Sequence, residues 1–306
     1  MNLEDKNKRT LITLAIVSGV LLAAFLWLRP YFADFGKPTP PDTSGRADRP
    51  VADGVTGSTS GATPQSTPVP SGTPDVSGIT HSEELEKLIL DLTNKEREKQ
   101  HLSALREEDT LRDTARAQSD DMIARGFFDH INPDGLSPGD RVAIRHRRLV
   151  GLVGENIWRS SGLSPADLNR MANEIMYGEK GWMNSPEHKA NILKPDYTNL
   201  GVGVSIKGTE VRVSQNFANI RALTNHSVPP EVKNGEVLDL SSSTTDSSAP
   251  AERYDYWVSN RGINTGATYT LSDGAVKVEP GVYKLRFYFP RPGGYSIYEG
   301  PQIEVK

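Results

Sequence analysis

The chain contains no cysteine, which excludes disulfides and thiolate chemistry. A metal site would therefore have to use histidine, carboxylate or carbonyl oxygen ligands. The chain also lacks an excess of positive charge, since its formal net charge is −4 and its pI is about 5.9. This balance argues against nucleic acid as a partner. With 306 residues the chain is long enough for one or two domains.

Residues 11–28 form a long apolar run without a charged side chain. At about 1.5 Å per residue, a helix of this length nearly crosses a hydrocarbon layer of about 30 Å, so the run predicts a transmembrane helix. A cleaved signal peptide is the alternative, but the residues that follow are bulky rather than small. Lys6, Lys8 and Arg9 precede the run, which favours a cytoplasmic segment at residues 1–10 and an extracytoplasmic location for the bulk of the chain.

Residues 36–79 are rich in proline, serine, threonine and glycine and contain no aromatic residue. Such a segment buries too little apolar surface to offset its ordering entropy, so we expect a disordered linker. The linker would either give the following domain reach through a cell envelope or simply keep that domain clear of lipid.

Residues 80–220 have the pattern of a folded α+β domain. A capping box at residues 80–83 precedes leucine and isoleucine residues at helical spacing, and Ser137 followed by Pro138 predicts a further helix start. Residues 200–206 and 211–217 are typical of two strands joined as a hairpin. Helices followed by antiparallel strands indicate the α+β class.

Five short motifs occur in order within this domain. They are FFDH at 127–130, GENIW at 154–158, GWMNSPEHKANIL at 181–193, NLGVGV at 199–204 and SQNF at 214–217. Together they resemble the CAP superfamily of cysteine-rich secretory, antigen five and pathogenesis-related proteins, and most of all its bacterial, disulfide-free SCP-domain branch. The resemblance covers residues 80–218 and implies an α–β–α sandwich with a central cleft.

On spacing alone, His130, Glu155 and His188 match no known ligand motif. The resemblance implies that all three meet in the cleft, where they would bind a ligand or, as metal ligands, a divalent ion such as zinc or calcium. Supporting roles are expected for four further residues, Asn156, Trp182, Ser185 and Gln215.

The chain departs from the family pattern in the cleft. Many members carry a second glutamate and a histidine on a late strand, where this chain has Ser185 and Arg212. A full four-residue site is therefore not expected. Residues 141–148 form a basic cluster that is expected to be a solvated helix face or, alternatively, a contact with anionic wall polymer or lipid headgroups.

Residues 226–306 contain short strand-like runs separated by turn signals such as Asp273-Gly274 and Pro280-Gly281. They predict a small all-β, sandwich-like C-terminal domain. This segment holds most of the tyrosines of the chain, which favours a tyrosine-rich core and leaves a sugar- or protein-binding face as the alternative.

Three functions follow from these patterns. The first is a membrane-anchored extracytoplasmic binding module, not an enzyme, whose cleft holds a lipid, glycan, peptide or divalent cation. The second is a hydrolase in which Glu155 or a histidine acts as general base, although no clear nucleophile accompanies them. The third is a non-catalytic adhesin or envelope scaffold.

Overall fold

The computed structural model describes residues 74–162, 167–245, 249–258, 263–264, 269–270, 276 and 278–306. The predicted cytoplasmic segment, the transmembrane helix at residues 11–28 and the linker up to residue 73 lie outside these ranges. Within them, no helix combines the length and the apolar character that crossing a membrane requires.

The first helix, α1, spans Glu83–Lys99 and begins later than the sequence pattern predicts. Its N-cap is Ser82, whose hydroxyl accepts a hydrogen bond from the backbone N–H of Leu85. The predicted capping box was therefore wrong, because Thr80–His81 instead forms a short strand, β1. The remaining helices are α2 at Asp109–Ala124, α3 at Pro138–Arg145, α4 at Leu168–Tyr177 and α5 at Pro186–Ile192, which follows a 3-10 turn at Trp182–Asn184.

The strands form one sheet. Those of the predicted α+β domain are β2 at Arg106–Glu107, β3 at Leu149–Ser161, β4 at Asn199–Lys207 and β5 at Glu210–Thr224. Those that follow are β6 at Glu231–Val232, β7 at Ser242–Thr244, β8 at Arg253–Val258, β9 at Ile263–Asn264, β10 at Tyr269–Thr270, β11 at Gly281–Arg291 and β12 at Gly294–Val305. The main strand order is β1-β4-β5-β3-β12-β11-β8-β10.

Helices cover both faces of the antiparallel strands β3, β4 and β5. On one face, α1, α4 and α5 pack a core that contains Ile89, Ile175, Trp182 and Val204. On the other face, α2 and α3 pack with β3 and β5 around Leu111 and neighbouring apolar residues. The mixed helical and antiparallel architecture confirms the predicted α+β class.

Two glycines let α2 lie directly on β4. A Cβ atom at Gly201 would be 2.1 Å from the backbone nitrogen of Arg112, and one at Gly203 would be 2.1 Å from that of Arg116. Neither backbone atom can move aside as a flexible side chain could. The close approach of helix and strand therefore requires glycine at both positions.

The C-terminal strands continue the same hydrogen-bonded sheet rather than starting a new one. Glu299 of β12 pairs with Gly151 of β3, and the buried ammonium of Lys284 on β11 contacts Asp140 at 2.9 Å and Glu299 at 2.7 Å. Burial alone would lower the pKa of Lys284, but the two carboxylates outweigh it and raise that pKa. The predicted boundary of a separate β domain at residue 226 remains a prediction, while the sheet runs through both segments.

The basic cluster at residues 141–148 is not a uniformly solvated face. Arg147 donates hydrogen bonds to the carbonyl oxygens of Val228, Pro229 and Gln302, so its guanidinium joins the end of α3 to the C-terminal segment. Arg141 is buried as well. The expectation of a solvated face is therefore wrong for these two arginines, and it failed because their carbonyl and carboxylate partners are distant in sequence.

Replacing Gly203 with alanine should destabilise the protein by about 1–3 kcal/mol, because the added methyl group forces α2 away from β4. Urea unfolding of the purified protein measures this loss. Gly139→Ala is the matched control, since its Cβ would meet no atom closer than 3.7 Å. Equal stability of the two variants would contradict the close-approach argument.

Candidate functional site

His130 is positioned by a short loop after α2. Gly126 follows the end of that helix with a φ of 68°, a backbone conformation that suits glycine. Further along, the Asn132 side chain accepts hydrogen bonds from the backbone N–H groups of Asp134 at 3.1 Å and Leu136 at 2.9 Å. These bonds close the loop and hold the imidazole of His130 against β3.

Glu155 lies on β3, where one edge of the strand is open. Among the described residues, β3 pairs with β5 along its whole length but with β12 only at Gly151. The Glu155 side chain is buried, while that of His130 is 45% exposed. Glu155 Oε1 lies 2.9 Å from His130 Nδ1. The structure thus brings these two predicted site residues together at the sheet edge.

The second oxygen of Glu155 explains how an apolar strand tolerates a charge. Glu155 Oε2 accepts a hydrogen bond of 2.8 Å from Arg141 Nη2, and Arg141 is itself buried. With its amide turned so that both ends are satisfied, Asn216 donates to the same oxygen at 3.2 Å. The buried carboxylate therefore has a cation, an imidazole and an amide as partners, which is what burial of a charge requires.

Arg141 is the residue that sequence reasoning missed. Besides Glu155, it donates from Nη1 to the carbonyl oxygens of His130 and Leu136, each at 2.8 Å. One guanidinium thus fixes both the histidine loop and the carboxylate. The sequence indicated only that the buried charge of Glu155 requires a partner. It did not indicate which arginine of residues 141–148 is that partner.

His188 lies in the first turn of α5, next to β3. Asn156 donates to the His188 carbonyl oxygen and to Gln215 Oε1, each at 3.1 Å. Asn191 donates to Asn156 Oδ1 at 3.0 Å and to the Glu155 carbonyl oxygen at 3.3 Å. These amides tie α5, which carries His188, to β3 and β5. Among the described contacts, none joins the His188 ring to His130 or Glu155.

The remaining supporting residues occupy structural positions. Trp182 is fully buried and donates from Nε1 to the Ile157 carbonyl oxygen at 3.1 Å, so it anchors the 3-10 turn on the sheet. Gln215 is also buried and donates to Thr93 of α1 at 2.8 Å. Ser185 occupies the N-cap position of α5 without a capping hydrogen bond from its side chain.

The two histidines are shifted in opposite directions. The hydrogen bond to Glu155 raises the pKa of His130, an effect that outweighs partial burial. Burial, and then repulsion from His130, lower the pKa of His188. The Nδ1 atom of His188 is buried and has no hydrogen-bond partner within the described part of the chain. The arrangement therefore favours a charged imidazole on His130 and a neutral one on His188.

The three residues fit a divalent metal poorly in this arrangement. Both oxygens of Glu155 are engaged, and one of them by the cationic Arg141, which repels a metal ion. Across the described ranges, no three histidine or carboxylate side chains are grouped closely enough to hold an ion. The predicted metal role of His130, Glu155 and His188 stays a prediction.

Comparisons with known proteins agree with the motifs. Residues 90–217 match the family described as the cysteine-rich secretory protein family, CAP. The chain is 36% identical over 124 residues to the uncharacterized protein YkwD of Bacillus subtilis (strain 168), a match covering 40% of this chain and 44% of that one. It is 35% identical over 122 residues to the uncharacterized membrane protein YlbC of the same organism, covering 40% of this chain and 32% of the relative. The chain thus spans less than half the length of either curated relative.

Matches to solved structures cover a similar share of this chain. An extracellular protein with an SCP domain from Bacillus anthracis is 29% identical, with a TM-score of 0.35, and the match covers 44% of this chain and 40% of that one. An outer surface protein of Borrelia burgdorferi is 22% identical, with a TM-score of 0.38, covering 46% of this chain and 98% of that one. The family match over residues 90–217 and the identity to YkwD confirm the resemblance that five motifs predicted: this part of the chain matches the CAP family, and the lack of cysteine is consistent with the disulfide-free bacterial branch.

Proposed function

We propose that this protein is a membrane-anchored, extracytoplasmic CAP-domain binding module whose ligand is held between His130 and His188. The observation that carries the proposal is the His130–Glu155 pair, in which a buried carboxylate orients an imidazole that is 45% exposed. His188 is near enough to His130 for the charge of His130 to lower the pKa of His188. The exposed part of the His130 ring is the surface that a ligand can reach.

The chemistry of the cleft limits what the ligand must offer. Neutral His188 can exchange one hydrogen bond with a carbonyl or hydroxyl group, and charged His130 presents its second ring nitrogen as a donor. A lipid headgroup, a glycan or a peptide carries such groups. Glu155 and Arg141 satisfy each other beneath the histidines, so they orient His130 rather than contact the ligand.

The proposed location rests on the sequence and on the name of one relative. The apolar run at residues 11–28 has the length of a membrane span, and the positive charges before it favour a cytoplasmic N-terminus. The relative YlbC is named a membrane protein. Both observations support a domain displayed outside the cytoplasmic membrane.

A second candidate function is acid–base hydrolysis. Opposite pKa shifts in neighbouring groups are the arrangement by which enzymes assign a proton donor and a proton acceptor. Here the pKa of His130 is raised and that of His188 is lowered. Against this function, none of the described contacts of either histidine is to a serine or threonine hydroxyl that could act as nucleophile. An envelope scaffold with an inert cleft is the third candidate.

The two histidines should affect stability with opposite dependence on pH. The folded pKa of His188 is lowered, so its unfavourable protonation reduces stability as the pH falls below about 6.5. The folded pKa of His130 is raised, so its stabilising contribution is complete below about 6.5 and is lost as the pH rises through the folded pKa. The stability of His188→Ala should therefore fall less on acidification than that of the wild type, and the stability of His130→Ala less on alkalinisation. Urea unfolding at a series of pH values measures the free energy of unfolding of the wild type and of both variants. The same dependence of this free energy on pH in all three proteins would show that the pKa shifts of His130 and His188 are absent.

Replacing Glu155 with glutamine should lower the pKa of His130, because the hydrogen bond to an ionised carboxylate is the main cause of the raised value. NMR titration of the imidazole signals measures the change, and His81 provides an internal reference away from the cleft. An unchanged His130 titration in a folded Glu155→Gln protein would contradict the pairing that the structure shows.

Zinc titration of the purified full-length protein separates the proposed functions. We expect at most weak zinc binding that is unchanged by Glu155→Gln, because that carboxylate is already committed to Arg141 and His130. Tight binding lost in both His130→Ala and His188→Ala would instead establish the metal site. Zinc-dependent turnover of peptide, lipid or glycan substrates would establish the hydrolase.

A further inference from the structure

A cavity lies at the far end of β3, and His130, Glu155 and His188 are not among the residues that line it. Its volume is about 620 Å³, within the range of about 300–1,000 Å³ that is typical of small-molecule sites. It is formed where the end of β3 meets β5 and the segment after α4. The charged lining residues are Arg159, Glu174, Glu179, Lys180 and Arg212, and the uncharged polar ones are Ser160 and Ser161.

Two arginines face each other across strands in this cavity. Arg159 of β3 is the direct register partner of Arg212 of β5. Like charges directly opposite each other in an antiparallel pair are destabilising, so an uncompensated arginine pair is an unusual choice at this position. Burial lowers the pKa of Arg212 and the charge of Arg159 lowers it further, although Glu210 partly offsets both.

The guanidinium of Arg212 is positioned by hydrogen bonds, but not all of its N–H groups have an acceptor. The residue is only 9% exposed, and its guanidinium pairs with Glu210 and donates to the Val211 carbonyl oxygen. Its Nε atom is buried without a hydrogen-bond partner among the described residues. Each of its two terminal nitrogens carries two N–H groups and forms one of these bonds, so each keeps a second N–H for an acceptor.

Arg159 has no carboxylate partner in the described part of the chain. Its guanidinium instead stacks over the ring of Phe128, with 4.7 Å between the guanidinium carbon and the ring centroid. Cation–π stacking fixes the orientation of the group and leaves its N–H donors available. Since Glu210 compensates Arg212 alone, the arginine pair keeps one positive charge for a bound anion.

The other lining groups are suited to hydroxyl groups. Glu174 and Glu179 are exposed carboxylates that accept hydrogen bonds, while Ser160 and Ser161 both donate and accept them. Lys180 supplies a further donor. A purely anionic ligand would be repelled by the two glutamates, whereas a ligand that carries several hydroxyls for each acidic group would satisfy both kinds of lining.

We propose that the cavity at the end of β3 binds an acidic saccharide, whose carboxylate or phosphate group lies between Arg159 and Arg212. Its hydroxyl groups are hydrogen bonded by Glu174, Glu179 and the neighbouring serines. The site is separate from the His130–Glu155–His188 cleft, and the inference does not depend on the function proposed for that cleft.

Calorimetric titration of the purified full-length protein tests the site with four probes: digalacturonate, glucose 1-phosphate, maltose and inorganic phosphate. We expect one of the two acidic saccharides to bind at least about tenfold more tightly than both maltose and inorganic phosphate. Digalacturonate as the tighter ligand identifies a carboxylated glycan, and glucose 1-phosphate a phosphorylated one. Equal binding of maltose, or of inorganic phosphate alone, would overturn the proposal.

Single substitutions test whether the acidic saccharide binds at the cavity at the end of β3. Arg159→Gln should weaken the acidic saccharide by about tenfold or more, whereas Arg106→Gln, the same change at an exposed arginine of β2, should alter its affinity less than about twofold. Phe128→Leu keeps the charge of Arg159 but removes the stacking and should give an intermediate loss. Equal effects of the two arginine variants would overturn the proposal, as would binding that is lost in His130→Ala and retained in Arg159→Gln.

Discussion

The burial of one carboxylate organises the site of this protein. Glu155 can lie inside an apolar strand only because Arg141 from α3 and His130 from the loop after α2 meet it there. Each partner comes from a different element, so the charge acts as a point of attachment for three parts of the chain. Removing one partner of a buried ion pair costs about 3–5 kcal/mol, which makes the arrangement hard to alter one residue at a time.

Hydrogen bonds between polar side chains also hold the short helix α5 in place. Asn156, Asn191 and Gln215 satisfy one another and the backbone of α5, so hydrogen bonds join that helix to the sheet edge. A polar network of this kind has directional bonds, and it fixes orientation more sharply than packing does. Within the described ranges, His188 is positioned by hydrogen bonds to its backbone and not by one from its ring Nδ1.

Much of the fold could be predicted from the sequence, and the reasons differ among elements. Helix α3 was predicted from Ser137 and Pro138, because capping is local chemistry. The start of α1 was misplaced, since pairing of Thr80 with Ile206 on β4 is a contact across the whole domain. His130 and Glu155 were found through family motifs, whereas Arg141 was missed because its partners depend on the tertiary fold. The predicted tyrosine core is confirmed for Tyr254, Tyr256 and Tyr283, which pack together, whereas Tyr295 is exposed.

Lys284 connects the C-terminal strands to helix α3. Its ammonium holds Asp140, the residue that closes the first turn of α3, and the next residue along that helix is Arg141. The C-terminal strands thus brace the helix that supplies the cation beneath Glu155. Shortening the protein to its family-matching part would remove Lys284, so the C-terminal strands and the family-matching segment together position Arg141 beneath Glu155.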